Sequence, residues 1–343
     1  MNDIRRTILW VVFAFSMIML WDQWQVHNGR QATFFPRASV TATETGTAAT
    51  PAPGDTPSVP QASTTAAAAT PPVVANGSAV GAVPEGPVVA RERIEVTTDV
   101  LKLVFDTEGG SVIRSEFLKY PEQGHDGPPF VMLDTDASRT YQAQSGLIGG
   151  PFPNHKTPMH FSGERTLADG ADQLVLRFES AEQGGVRKVK TYTLHRGSYV
   201  IDVAHEVLNA SGAPVQPQLY LQLVRDDGSI AGGTPFYSTF TGPAFYTEEK
   251  KYQKVEFKDI DKGKAEFVRQ APDGYVAMVQ HYFASAWLPA AGAERENFVR
   301  KAGGNLYAAG AITPVATLAP GASASVAARL FVGPQEEKML EAV

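Results

Sequence analysis

From Leu101 to Val332 apolar residues return at every second position in run after run. That period restricts the chain to antiparallel sheet more tightly than any other feature. In D-V-L-K-L-V-F-D, Leu101, Leu103 and Phe105 share one strand face, and Gly109-Gly110 supplies a turn before S-V-I-R-S-E-F resumes the pattern. Leu174, Leu176 and Phe178 alternate with Val175, Arg177 and Glu179. Arg196-Gly197 reverses the chain ahead of Tyr199, Ile201, Val203, His205 and Val207. Leu219, Leu221 and Leu223 follow, and near the end Val326, Ala328, Leu330 and Val332 alternate with Ser325, Ala327, Arg329 and Phe331. Strands this short, with polar turns between them and no competing helical pattern, predict an all-β fold, a large antiparallel sandwich over residues 91–334. Residues 234–267, rich in aromatics and lysine, break the alternation and read as a long excursion from the sheet.

Upstream the text changes. Residues 27–90 are dominated by Ala, Thr, Pro and Gly, and from Ala38 to Ala90 the stretch holds no aromatic residue, Lys or Arg. Such a segment buries too little apolar surface to offset its ordering entropy and is expected to act as a disordered tether. Before it, Thr7–Trp21 carries no charge. Extended from Ile4 to Trp24 the run makes about 31 Å of helix, enough for a hydrocarbon core. Ile8, Leu9, Trp10, Val11, Val12, Phe13, Phe15, Met17, Ile18, Met19, Leu20 and Trp21 form the expected anchor within residues 1–26. W-D-Q-W-Q follows the apolar core where a signal peptidase needs small residues, so the segment reads as uncleaved. Arg5 and Arg6 before the span and Asp22 after it place the N-terminus in the cytoplasm and the bulk of the chain on the far side. At the other end, Gly333-Pro334 closes the last strand, and residues 335–343 begin a helix with Met339, Leu340 and Val343 on one stripe. The text stops there as at a fragment boundary.

Composition removes several chemistries. The 343 residues include no cysteine, which excludes disulfides, thiolate metal sites and cysteine nucleophiles. A net charge of −6 gives no general attraction to nucleic acid. His155 and His160 are spaced off one helix face and read as a surface loop, and His205 reads as a hydrogen-bonded core histidine. Asp226-Asp227-Gly228 is a turn by composition, and D-T-D-A-S and D-I-D-K-G lack the remaining spacing of a calcium loop. No nucleophile elbow, phosphate loop or dinucleotide fingerprint is present. No catalytic residue, metal or cofactor is therefore expected. The strongest candidate for partner binding is the aromatic and lysine-rich stretch, with Phe240, Phe245, Tyr246, Lys250, Lys251 and Tyr252, beside the plainer reading that these aromatics fill the sandwich edge.

Several blocks carry a resemblance. R-R-T-I-L-W-V-V-F-A-F-S-M-I-M-L-W, T-D-V-L-K-L-V-F-D-T-E-G-G-S-V, K-T-Y-T-L-H-R-G-S-Y, G-P-A-F-Y-T-E-E-K-K-Y-Q-K, G-Y-V-A-M-V-Q-H-Y-F-A-S-A-W-L-P and F-V-G-P-Q-E-E-K-M occur in that order. Together they make the chain resemble the N-terminal part of the bacterial YidC membrane-protein insertase family, its first transmembrane helix and periplasmic domain. The resemblance implies a galactose-mutarotase-like β-super-sandwich on the periplasmic side of a Gram-negative inner membrane. It implies insertion and folding of client membrane proteins, alone or beside the Sec translocon, with SecDF as an accessory partner and no nucleotide or metal. The family's insertion groove lies in five further transmembrane helices, so no client-binding residue is carried over, and this chain alone is not expected to insert proteins. An alternative is an anchored carbohydrate-binding or mutarotase-like protein, for which Asp202, His205 and Glu206 are the clustered candidates.

Overall fold

The computed structural model describes residues 58–62, 91–122, 127–136, 138–228 and 240–335. The expected anchor, most of the expected tether and the expected C-terminal helix lie outside these residues. Among the described residues no helix is long and apolar enough to cross a membrane.

Two antiparallel sheets account for nearly all the secondary structure. The ten-stranded sheet runs β1 (Arg93–Thr97), β2 (Leu101–Asp106), β3 (Ser111–Pro121), β6 (Thr140–Ile148), β11 (Gln218–Asp226), β18 (Leu306–Pro314), β17 (Arg295–Gly303) and β14 (Gln270–Ala271). The short β4 (Pro129–Val131) and β5 (Asp134–Thr135) pair with β3 and β6. The nine-stranded sheet runs β13 (Lys251–Lys254), β12 (Thr241–Thr247), β15 (Tyr275–Gln280), β16 (Phe283–Pro289), β19 (Ser323–Pro334), β10 (Val200–Asn209), β9 (Val186–His195), β8 (Gln173–Ser180) and β7 (Met159–Gly163). The expected all-β sandwich is the fold observed. Among the described residues one five-residue helix, α1 (Phe257–Asp261), interrupts it.

The two-residue period does the sorting. Leu174, Leu176 and Phe178 of β8, Ile201, Val203 and Val207 of β10, and Leu219, Leu221 and Leu223 of β11 all join one interior cluster that includes the fully buried Trp287. Burying each such side chain contributes roughly 1.5–3 kcal/mol. Polar struts tie the sheets across this interior. The Trp287 indole donates to the Gln222 carbonyl at 3.1 Å, and Arg225 donates to Gln280 at 2.8 Å. The Tyr141 hydroxyl meets Ser285 at 2.7 Å, and Ser145 meets His205 Nε2 at 2.9 Å. His205 is thus the bonded core histidine expected.

The Gly109-Gly110 turn needs its glycines. Both sit at positive φ, 70° and 56°, and a Cβ on Gly109 would lie 2.4 Å from the His155 carbonyl oxygen. The buried Lys190 amine donates to the Gly109 carbonyl at 2.7 Å, and the Tyr192 hydroxyl donates to that of Gly110 at 2.7 Å.

Three local expectations change. Residues 241–247 and 251–254 are strands of the nine-stranded sheet, so the middle of the stretch read as an excursion is an edge hairpin. Its alternation was hidden because Gly242, Pro243, Ala244 and Phe245 are all buried. His155 is not on an open loop: it is buried, and Tyr220 Oη accepts its backbone amide and meets its Nδ1. Within the expected tether, residues 58–62 lie against the ten-stranded sheet, with Val59 and Ala62 packed on its outer apolar cluster.

Candidate partner-binding face

The outward side of the nine-stranded sheet carries a row of side chains that no stretch of sequence contains. Tyr252 of β13 lies across from Tyr246 of β12, and Tyr246 across from Tyr275 of β15. Farther along, Leu288 of β16 lies across from Arg329 of β19, Arg329 from Asp202 of β10, and Asp202 from Thr193 of β9. Each strand contributes one outward residue because the pleat puts alternate side chains on one face and the register aligns them. Tyr246 and Tyr275 stack with centroids 5.4 Å apart and planes 11° apart.

A groove of about 650 Å³ opens along this row. Ala204 and Ala327, which face each other across β10 and β19, keep its floor low. Tyr246 and Tyr275 wall one side, and Pro289, Ala290 and Ala291 wall another. Arg295 holds this second wall. Its guanidinium is buried and donates to the Pro289 carbonyl at 3.3 Å and the Gly274 carbonyl at 3.0 Å. Burial pushes the Arg295 pKa down, against the pull of Asp273 and Glu294. Gly274 is at φ 86°, and a Cβ there would overlap the Tyr246 carbonyl, so the wall meets the tyrosine strand only through a glycine. At the far end Asp202 accepts from His195 at 2.8 Å. Burial raises the pKa of Tyr275 and of Tyr252, so both phenols stay neutral donors at physiological pH. The groove therefore offers small apolar floor, aromatic wall and separated charge, which suits a short peptide-like segment.

The sequence candidates divide on this face. Tyr246 lines the groove, and Tyr252, Lys250 and Lys251 are exposed beside it. Lys251 pairs with Glu248 at 2.6 Å. Phe240 is partly buried, with the Lys254 ammonium 5.1 Å from its ring centroid. Phe245 points the other way. Its ring is fully buried and stacks on Phe267 at 4.6 Å, so it serves the core, because neighbours on a strand face opposite sides. The anchor residues Ile8 to Trp21 lie outside the described residues.

The sugar-site candidates do not converge. His205 faces the interior while Asp202 and Glu206 are exposed outside. Asp136 accepts from the Ser138 and Arg139 amides in a local turn, and Asp226 accepts from those of Thr140 and Gly228. Among the described residues no group of three His, Asp or Glu could hold a metal ion. Sequence reasoning missed Thr193, Ala204, Tyr275, Arg295, Ala327 and Arg329. Its one usable signal was alanine at outward strand positions, where a solvated face normally carries charge.

A family model described as the YidC periplasmic domain matches residues 93–343. The membrane protein insertase YidC of Bordetella pertussis is 46% identical over 99% of this chain and 60% of its own length. That of Ralstonia nicotianae is 49% identical over 99% of this chain and 59% of its own length. The chain thus spans about 60% of the curated relatives it matches. Among solved structures, a galactose mutarotase related enzyme from Lactobacillus acidophilus aligns at a TM-score of 0.45 and 9% identity, over 70% of this chain and 97% of that one. A putative aldose 1-epimerase from Escherichia coli aligns at 0.42 and 12% identity, over 71% and 99%. No sugar chemistry follows from likeness at that level. Identity near one half along the whole chain, together with a family model spanning every strand of the sandwich, makes this chain a member of the YidC family.

Proposed function

We propose that this chain is the anchor and periplasmic domain of a membrane-protein insertase of the inner membrane, and that the groove and its tyrosine row seat a partner segment. The observation that carries the reading is the family match across the whole sandwich. The Ala-floored groove supplies the place. The apolar segment Ile8–Trp21 holds the domain at the membrane, with the N-terminus cytoplasmic. The Sec translocon and its SecDF accessory complex are the proposed partners, and client membrane proteins those of the full-length protein. The role is binding and placement, with no catalytic step.

Photo-crosslinking in native membranes tests this. A benzoylphenylalanine at Tyr246 of the full-length protein is expected to yield an adduct with a Sec-associated membrane protein. The same probe at Leu118, an exposed site on the other sheet, is expected to yield none. Equal adducts at both positions, or none at either, would remove the groove from the proposal. Loss of client insertion on depletion, restored by the full-length gene, tests the insertase assignment separately.

A further inference from the structure

Residues 58–62, Ser-Val-Pro-Gln-Ala, have no compositional reason to be ordered, yet they have a formed receptor. The Ser58 amide donates to the Ala302 carbonyl at 3.2 Å. That carbonyl is available because β17 bulges between Lys301 and Gly303, so Ala302 drops out of the ladder with β18. On the other side of β17, β14 pairs only with Arg295 and Glu296. The Arg300 guanidinium donates to both the hydroxyl and the carbonyl of Ser58. Arg300 is itself positioned, donating to Gln222 at 3.1 Å and lying 6.0 Å from the centroid of the Phe298 ring. Gln222 in turn donates to Gln144 at 2.7 Å. Val59 and Ala62 pack on the outer cluster that includes Ile148, Val224, Phe298, Leu306 and Ile312, and Pro60 is buried.

We infer that this outer face of the ten-stranded sheet is a peptide-binding site, and that residues 58–62 are its resident ligand. Its chemistry selects an uncharged extended segment. One residue adds to the free edge of β17 by main-chain bonding, and a forked guanidinium reads a serine at that residue. A β-branched residue fills the apolar cluster, and a proline is buried without leaving an amide donor unpaired. Binding has a mechanical consequence. Attachment at Ser58 instead of Arg93 roughly halves the chain between Trp24 and the first attachment point. For a flexible chain that shortens mean reach to roughly 0.7 of its value. Because the ligand is tethered, an external peptide competes poorly until the resident segment is displaced.

Hydrogen exchange on the full chain in nanodiscs tests the resident contact. The Ser58 amide is expected to exchange at least tenfold more slowly than in a free peptide of the same sequence. Val59→Asp and Arg300→Ala are each expected to abolish that protection, and Val59→Asp to lower the melting temperature by only a few degrees, the linked loss of the contact, with the sandwich still folded. A fluorescent peptide spanning residues 55–65 is then expected to bind the Val59→Asp protein at least tenfold more tightly than the wild type, and to lose binding in Val59→Asp/Arg300→Ala. Free-peptide exchange rates at Ser58 in the wild type would overturn the inference. So would protection that survives Val59→Asp, or a peptide that fails to bind the vacated site at millimolar concentration.

Discussion

On β11 the outward Tyr220, Gln222 and Val224 are as buried as the inward Leu219, Leu221 and Leu223. On β10 the outward Asp202 and Glu206 are exposed beside the buried Ile201, Val203 and His205. The ten-stranded sheet thus has its outer face covered around β11, β17 and β18 by the chain itself, through the His155 loop and residues 58–62, while β10 leaves its outer face open. A sandwich needs only its inward faces to fold. Covering the outer face around β11 adds a second core, and the uncovered face of the nine-stranded sheet is the one proposed to seat a partner. The same residue type should therefore have opposite value on the two outer faces.

Tyrosine makes the sharpest test. Tyr220 lies in the outer cluster, accepts from His155, and fills the space over Gly146, where an added Cβ would meet its ring. Tyr220→Ala is expected to cost about 3–5 kcal/mol, the range for truncating a buried aromatic. Tyr246→Ala, on the open face, is expected to cost about 1 kcal/mol, its share of the stack on Tyr275. Denaturant midpoints of the two variants measure both. Equal costs would mean that the two outer faces contribute alike to stability.

Between the two faces lies an interior whose dryness Lys188 reports. Its amine is buried and has no hydrogen-bond partner among the described residues. Burial pushes its pKa from 10.5 down to about 7. Between those values the unfolded chain holds a proton that the folded chain lacks, so stability rises as pH rises from about 7 toward 10.5 and is flat in this term below 7. The slope rises to at most about 1.4 kcal/mol per pH unit, which sums to about 2 kcal/mol from pH 7 to 9. Burial depresses Lys190 in the same direction. Lys188→Met is expected to remove one such slope from urea titrations at pH 7, 8 and 9. An unchanged slope would mean that water reaches the amine.

The parts of this molecule legible in the sequence are those written along single strands. The inward residues of β8, β10 and β11 follow a period of two, and the Gly109-Gly110 and Arg196-Gly197 turns stand out because glycine marks them. His205 was legible as a core histidine because both neighbours two positions away, Val203 and Val207, are apolar. The candidate site was not legible, because Tyr252, Tyr246, Tyr275, Leu288, Arg329, Asp202 and Thr193 come from seven strands and meet only through register. The seat for residues 58–62 was hidden for a related reason. The segment itself carries no signal, and what orders it is a bulge at Ala302 and an arginine at 300. Phe245 and Tyr246 were grouped by composition and separated by the pleat.

Arg295 lets the open face be changed without touching its floor. Its two bonds hold the Pro289 and Gly274 carbonyls together. Arg295→Ala is expected to cost about 2 kcal/mol, within the range for hydrogen bonds from a charged donor, and to loosen the wall against Tyr246. Exchange of the backbone amides at 290–292 should rise with it. A stability loss without that rise would mean that Arg295 supports the core and leaves the groove unchanged.

The smallest expected stability effect carries the most information about the open face. Ala327 is exposed on the outward side of β19, across from Ala204, so Ala327→Glu adds a side chain over the groove floor without displacing any core residue. Outward substitutions of this kind change stability by about 0.5 kcal/mol or less. The carboxylate would nonetheless fill space between Arg329 and the tyrosine wall, so a partner segment that needs that floor should lose at least tenfold in affinity. Crosslinking from Tyr246 reads the effect directly. If the adduct forms as well in Ala327→Glu as in the wild type, partner contact is confined to the tyrosine edge at Tyr246 and Tyr252 and the alanine floor is idle. If it disappears while the denaturant midpoint stays put, the open face is a binding surface, and the outward alanines are the residues that keep it accessible.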